Sequence, residues 1–204
     1  IQLRYKRLYC VIKAKRSLIH QLVFTIRMYS NGRPCYPGQR MQAMLDRAPS
    51  LRPGDPVPPA WHWLYFHESA RTSDLGADGH TRLGLFMPPF PLPRRMWAGG
   101  RFEFADELRI GDHATRTSRI LDIKEKQGRT GQLVFVTVRH EISTARGFAL
   151  SEEHDIVYRG HPRPDEAPVM QMAPLDPQWE RSVVPGDVLL FRYSALTFNG
   201  HRIH

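Results

Sequence analysis

Asn199, His201 and His204 fall within six residues of one another, directly after an apolar run. Histidine titrates near neutral pH and can give or take a proton, while an asparagine amide can orient a partner or donate to a developing oxyanion. In a turn entering a helix, His201 and His204 share a face because they stand three residues apart. Two readings stay open: a proton-handling loop, or ordinary polar residues near a chain end. A metal pair is disfavoured, since no third ligand lies nearby and His-x-x-His arises readily by chance.

Other residues carry weaker signals. Arg94, Arg95 and Trp97, followed by Gly99-Gly100, could clamp an anionic planar ligand, or could simply flank a strand start. His62, between Trp61 and Trp63, reads as a half-buried strand residue, and His154 and Asp155 read as solvated surface. No Gly-x-Ser-x-Gly elbow occurs and neither Cys10 nor Cys35 has a neighbouring histidine, so nucleophilic acyl transfer lacks support. The two cysteines form neither a disulfide framework nor a zinc motif, which fits a reducing compartment. With no GxGxxG, no P-loop and no βαβ rhythm, nucleotide folds are disfavoured.

The elements that must position these residues are mostly strands. Residues 41–48 are expected as a short helix ended by Pro49, and Trp61–Phe66 as an aromatic strand. Residues 67–93, rich in glycine and proline, form a long irregular stretch of the kind that often binds something. Strands are expected around Phe102 and Phe104, over Ala114–Lys124, over Leu133–Ile142 and over Glu152–Tyr158, joined by short turns into an antiparallel meander. Prolines 162, 164, 168, 174 and 177 mark an extended linker, after which Val183–Tyr193 reads as a fresh strand.

Charge is unevenly placed. The chain of 204 residues has a net charge of +9, and its first 45 residues hold nine Lys/Arg and no acid. Removing those nine from the 29 basic residues leaves 20 against 20 acidic ones, so the remainder is neutral. A nucleic-acid-binding domain would spread its basic footprint over a folded face, so that class is disfavoured. The basic segment reads as a transit-type leader, a basic arm for an anionic partner, or an extension foreign to the natural protein. No apolar run reaches the roughly 18 residues of a membrane span. The expected organisation is a basic leader or extension over 1–40, a first module over 41–160, a linker over 161–178 and the start of a second module over 179–204.

Three runs then carry a family resemblance: PAWHWLYF (Pro59–Phe66), PPFPLPRRMWAGGRFEF (Pro88–Phe104) and LLFRYSALTFNGHRIH (Leu189–His204). Across 41–204 the chain resembles the MaoC-like, type 2 hydroxyacyl-thioester dehydratases, a group that includes mesaconyl-CoA hydratases and fatty-acid-synthase-like dehydratase domains. The resemblance implies an α+β double hot-dog, in which each module is an antiparallel sheet around a long helix. The first module is then present here and the second cut short, with the fragment itself inactive and poorly stable. It also implies a hydro-lyase that adds or removes water across a C=C bond conjugated to a CoA or acyl-carrier thioester.

The site residues follow by the same resemblance. The family loop carries an Asp, then an Asn, then a His; Asn199 resembles that Asn and His204 that His. The spacing departs from the simple pattern, since His204 lies five positions after Asn199 and Thr197 stands where the pattern has Asp. Either His201 takes the place of the carboxylate or an acidic residue lies further on. Catalysis is thus expected from Asn199, His201 and His204, and phosphate contacts from Arg94 and Arg95 beside Trp97. No redox cofactor or metal is implied. Neither nucleic acid nor membrane is expected as a partner; a homodimer and a cytoplasmic setting are, with mitochondria the alternative if the basic segment is a genuine leader. The competing function is a non-catalytic thioester-binding hot-dog module or subunit.

Overall fold

Alternating apolar and polar residues from Gly131 to Arg159 build the centre of the molecule. In a computed structural model, which describes residues 10–12, 21–27, 37–128, 131–161, 172 and 176–201, this segment is a hairpin of two long strands, β5 (Gly131–Thr144) and β6 (Gly147–Arg159). Three strands of the same sheet precede it in the fold's centre and far edge: β2 (Gln21–Arg27), β3 (Arg94–Phe104) and β4 (His113–Gly128), with a short β1 (Cys10–Ile12) outermost. The sheet is antiparallel, in the order β1-β2-β4-β5-β6-β3. The meander expected from sequence is β4-β5-β6. Strand β3, although earlier in the chain, closes the far side of that meander against β6.

Because strand side chains alternate between faces, the register sorts the sheet cleanly. Val134, Val136, Val138, His140 and Ile142 of β5 stand opposite Tyr158, Ile156, His154, Glu152 and Leu150 of β6. This is the covered face. Its two ends are apolar: Phe66, Leu108, Ala114, Ile142, Ala149 and Leu150 cluster at one, and Ile120, Val134, Val136, Val138 and Tyr158 at the other. Each fully buried side chain of this size contributes about 1.5–3 kcal/mol.

The cover differs from the long helix expected inside such a sheet. Irregular segments carrying Val57, Tyr65 and Phe66 lie over one end, and Leu83, Phe86, Met87, Phe90 and Leu92 over the other. Among the described residues the helices are short, α1 (Pro37–Met44) and α2 (Asp187–Thr197), and none is long and apolar enough to cross a membrane.

Three local expectations are corrected. The first helix begins at Pro37, a residue suited to a first helical position, and ends at Met44 rather than running over 41–48. Trp61–Leu64 is a 3-10 turn, not a strand. Its entry through Ala60 at φ 66° and the bond from the Trp61 N–H to the Pro58 carbonyl (3.0 Å) curl the chain. Its aromatic residues find partners on several sides, so tertiary packing overrides strand propensity. Val183–Tyr193 is likewise no strand: α2 starts at Asp187, an acid favoured at a helix N-terminus, just after Gly186. Leu189, Tyr193 and Leu196, at helical spacing, pack on Met41, Met44 and Leu64.

Within the expected leader, Cys10–Ile12 and Gln21–Arg27 are strands, the latter paired along β4 from His113 to Arg119. The rest of residues 1–36, Cys35 included, lies outside the described residues, as does most of the expected linker.

Candidate functional site

The end of α2 sets the first site. Thr197 donates its hydroxyl to the Tyr193 carbonyl (2.9 Å), closing the last helical turn. Phe198 then turns left-handed at φ 53° and stacks on His67, ring centroids 5.9 Å apart. The Asn199 N–H donates back to the Ser194 carbonyl (2.9 Å), and the Asn199 Oδ1 accepts the His201 N–H (3.0 Å). That small turn, of a kind Asn side chains favour, assigns the oxygen end of the amide and makes the NH2 end its donor. Burial pushes the His67 imidazole down from its usual range, opposed by hydrogen bonds with the Leu196 and Trp63 backbone and aided by the Arg116 charge. Burial thus disfavours the charged form of the His67 ring under the turn.

Asn199 and His201 line an open cleft of about 880 Å³ together with Glu68, His80, Asp187 and Ser194. It therefore holds two imidazoles, two carboxylates, an amide and the hydroxyls of Thr72 and Thr81, enough for proton transfer and for orienting water. The His80 and His201 rings lie 5.0 Å apart, centroid to centroid. His204 lies outside the described residues. Among the described residues no group of three or more His, Cys, Asp or Glu is arranged to hold a metal ion.

Arg94 and Arg95 are not brought to one face. Both stand in β3, where consecutive side chains project oppositely. Arg95 sits across from Tyr158 and Trp97 across from Ile156, both on the covered face, although Trp97 itself is exposed. The Tyr158 hydroxyl, pushed up by burial, feels the charges of both Arg95 and Asp78. By register Arg95 stands on the covered face beside Tyr158, and Arg94 projects to the other face.

A second cluster went unread in the sequence. Across the middle of the covered face run Ser118, His140, Glu152 and Phe102, one from each of β4, β5, β6 and β3. Glu152 is 2% exposed and accepts from His62 Nε2 (2.9 Å), from Trp63 Nε1 (2.9 Å) and from His154. Burial pushes its carboxyl up, but hydrogen bonds from His154 and His62 outweigh this and hold it below the usual carboxylate range. His140 bonds Ser118 Oγ through Nδ1 (2.7 Å), and burial, with the Arg116 charge, pushes its imidazole down to about 3.

This corrects two expectations. His62 is buried on a 3-10 turn rather than half-buried on a strand, and His154 faces the interior network rather than solvent. Asp155, the neighbour of His154, faces the other way, to Arg101 and Thr137. The signal was there: Glu152 and His154 keep the two-residue phase of Leu150, Ile156 and Tyr158.

Comparison with known proteins places the chain in a class. A family model described as hydroxyacyl-thioester dehydratase type 2 matches residues 60–204, which takes in both clusters. The chain belongs to that family. Among its relatives is the mesaconyl-C(4)-CoA hydratase of Chloroflexus aurantiacus, 50% identical over 151 residues, covering 73% of this chain and 54% of that protein. Another is the mitochondrial hydroxyacyl-thioester dehydratase type 2 of Schizosaccharomyces pombe, 25% identical over 173 residues, covering 72% of this chain and 56% of that one. The chain thus spans about half the length of the curated relatives it matches. Among solved structures, HtdX of Mycobacterium tuberculosis superposes with a TM-score of 0.42 at 17% identity, over 89% of this chain and 63% of that chain.

Proposed function

We propose that this chain belongs to a hydro-lyase that adds water reversibly to a C=C bond conjugated to a thioester carbonyl, on a mesaconyl-CoA or 3-hydroxyacyl-thioester type of substrate. The observation that carries this reading is the Asn199–His201 turn, held at the mouth of an open cleft by the last turn of α2. In the hydration direction, the water oxygen bonds to the β-carbon and its surplus proton goes to a base. The α-carbon then takes a proton as the enolate-like charge on the carbonyl collapses. The product is the 3-hydroxyacyl thioester, and no electrons enter or leave.

In this reading the Asn199 amide orients the water and His204 moves the proton, with His201 in the place of the family's carboxylate. His204 belongs to the same loop in this reading. In this proposal the chain is part of a double hot-dog, with residues 41–160 as its first module and 179–204 as the start of the second. The CoA or acyl-carrier arm is anionic, and Arg95 suits its phosphates better than Arg94, because it stands on the covered face where the irregular segments pack.

One observation favours the second reading, a thioester-binding module without turnover. Thr197, at the position where the simple family pattern has a carboxylate, spends its hydroxyl on the Tyr193 carbonyl. A spectrophotometric hydration assay of the full-length protein with mesaconyl-CoA and crotonyl-CoA separates the two. Loss of the enoyl-thioester absorbance is expected. CoA-thioester binding with no change in absorbance would favour the module.

A further inference from the structure

The long irregular stretch between the aromatic turn and β3 contributes more to the cleft than a wall. Its residues 75–81 form a tight hairpin, closed by a bridge between Leu75 and Thr81. The Gly76 N–H donates to the His80 carbonyl (2.7 Å), the Gly79 N–H to the Gly76 carbonyl (3.0 Å), and the His80 N–H to Asp78 Oδ1 (3.1 Å). Behind it, Arg82 donates through its N–H to the Asp74 carbonyl (3.0 Å) and through Nε to the Leu75 carbonyl (3.0 Å). This is a braced hairpin, fixed by its own hydrogen bonds.

It touches the Asn199–His201 turn at two points. Gly79, at φ +85°, lies so close that a Cβ there would sit 1.8 Å from the Gly200 carbonyl oxygen. Only glycine allows both that backbone conformation and that approach. One residue on, the His80 ring packs on the His201 ring at 5.0 Å and 48°. The contact is backbone on backbone and imidazole on imidazole, between segments about 120 residues apart in sequence, as their numbering shows. The contact bears directly on where the His201 ring can point.

We propose that His80 is a positioning residue of the thioester site: with Gly79 at its side it holds the Asn199–His201 turn against the cleft and limits the His201 imidazole to one orientation. This rests on the hydratase reading given above. Polar groups that line the cleft, Glu68, Thr72, Thr81 and Asp187 among them, can pair with a ring edge, whereas a packed ring also restricts its plane. Displacement of a reacting group by about an ångström costs on the order of 100-fold in rate, so loss of this restraint falls on turnover rather than on binding.

The test uses the full-length protein and two readouts, steady-state hydration of an enoyl-CoA and the side-chain NMR resonances of His201. His80→Ala should lower kcat about tenfold or more with KM nearly unchanged, and should move the His201 ring resonances toward motionally averaged positions. His80→Phe, which keeps a ring at the contact, should recover most of the lost kcat. Gly79→Ala, which pushes on the Gly200 carbonyl without touching either imidazole, should reproduce the loss. Wild-type kcat and unmoved His201 resonances in His80→Ala would overturn the proposal, as would His80→Phe being as slow as His80→Ala. His201→Gln tells the two levels apart. If it turns over like the wild type, the hydratase reading of the loop is wrong, whereas the resonances still decide whether His80 holds His201.

Discussion

The two clusters use the same vocabulary, imidazole and carboxylate, to opposite ends. Around Glu152 the groups face inward and satisfy one another: three donors converge on one carboxylate that is 2% exposed. Around His201 they line an open cleft, held from behind by backbone and ring contacts. A buried ion that is fully bonded specifies a structure, and its loss exposes the cost of every partner left behind. A histidine beside a cleft, oriented but reachable, is suited to moving protons. In the proposed reading, what separates structure from chemistry here is accessibility, not residue type.

That contrast can be broken in several places. The largest effect is expected at Glu152. Glu152→Ala strands the His62 and Trp63 donors in the interior and should destabilise the fold by about 3–5 kcal/mol, measured by urea denaturation. His201→Gln should do the reverse, lowering kcat by about 100-fold while leaving the denaturation midpoint where it was. If Glu152→Ala lost only activity, or His201→Gln lost only stability, the division between the clusters would be wrong.

Smaller effects sharpen it. His140 has its proton affinity pushed down to about 3 from an ordinary value of 6.5. Between those limits the unfolded chain binds a proton that the folded protein does not, so stability falls as pH falls through that window. The slope from this residue is at most about 1.4 kcal/mol per pH unit, and His140→Gln should flatten it in denaturation curves run from pH 7 downward. Glu152 acts in the same direction lower down. Its folded carboxyl is held below the ordinary 4.5, so its stabilisation is present above that value and drains as pH falls further. Smallest of all, Arg95→Ala should raise KM for a CoA thioester about fivefold, with Arg94→Ala nearly silent, as charged hydrogen bonds of this kind are worth roughly 1.5–3 kcal/mol at most.

Much of this was legible in the sequence and some was not, for definite reasons. The long strands β4, β5 and β6 announce themselves because period-two alternation runs over many residues. That Asn199 and His201 share one turn was legible from their spacing, while the chemistry of that turn is a proposal. The helix α2 was missed because the apolar run Val188–Phe191 masks the helical spacing of Leu189, Tyr193 and Leu196. The aromatic turn Trp61–Leu64 was missed because its conformation is decided by partners about 90 residues away, such as Glu152. The Glu152 cluster itself was hidden in Ser151–Asp155, where acidic neighbours on the outer face disguise two polar residues on the inner one. His80 carried no signal at all, because only the fold brings it to His201.

The central claim is addition of water at a cleft served by Asn199 and His201, and isotopes test it most directly. The full-length protein is incubated with an enoyl-CoA in water enriched in oxygen-18 and deuterium, and the thioester pool is read by mass spectrometry. The account predicts one oxygen-18 at the β-carbon and one deuterium at the α-carbon, both appearing about 100-fold more slowly with His201→Gln. A thioester that binds and is recovered without either label would contradict it.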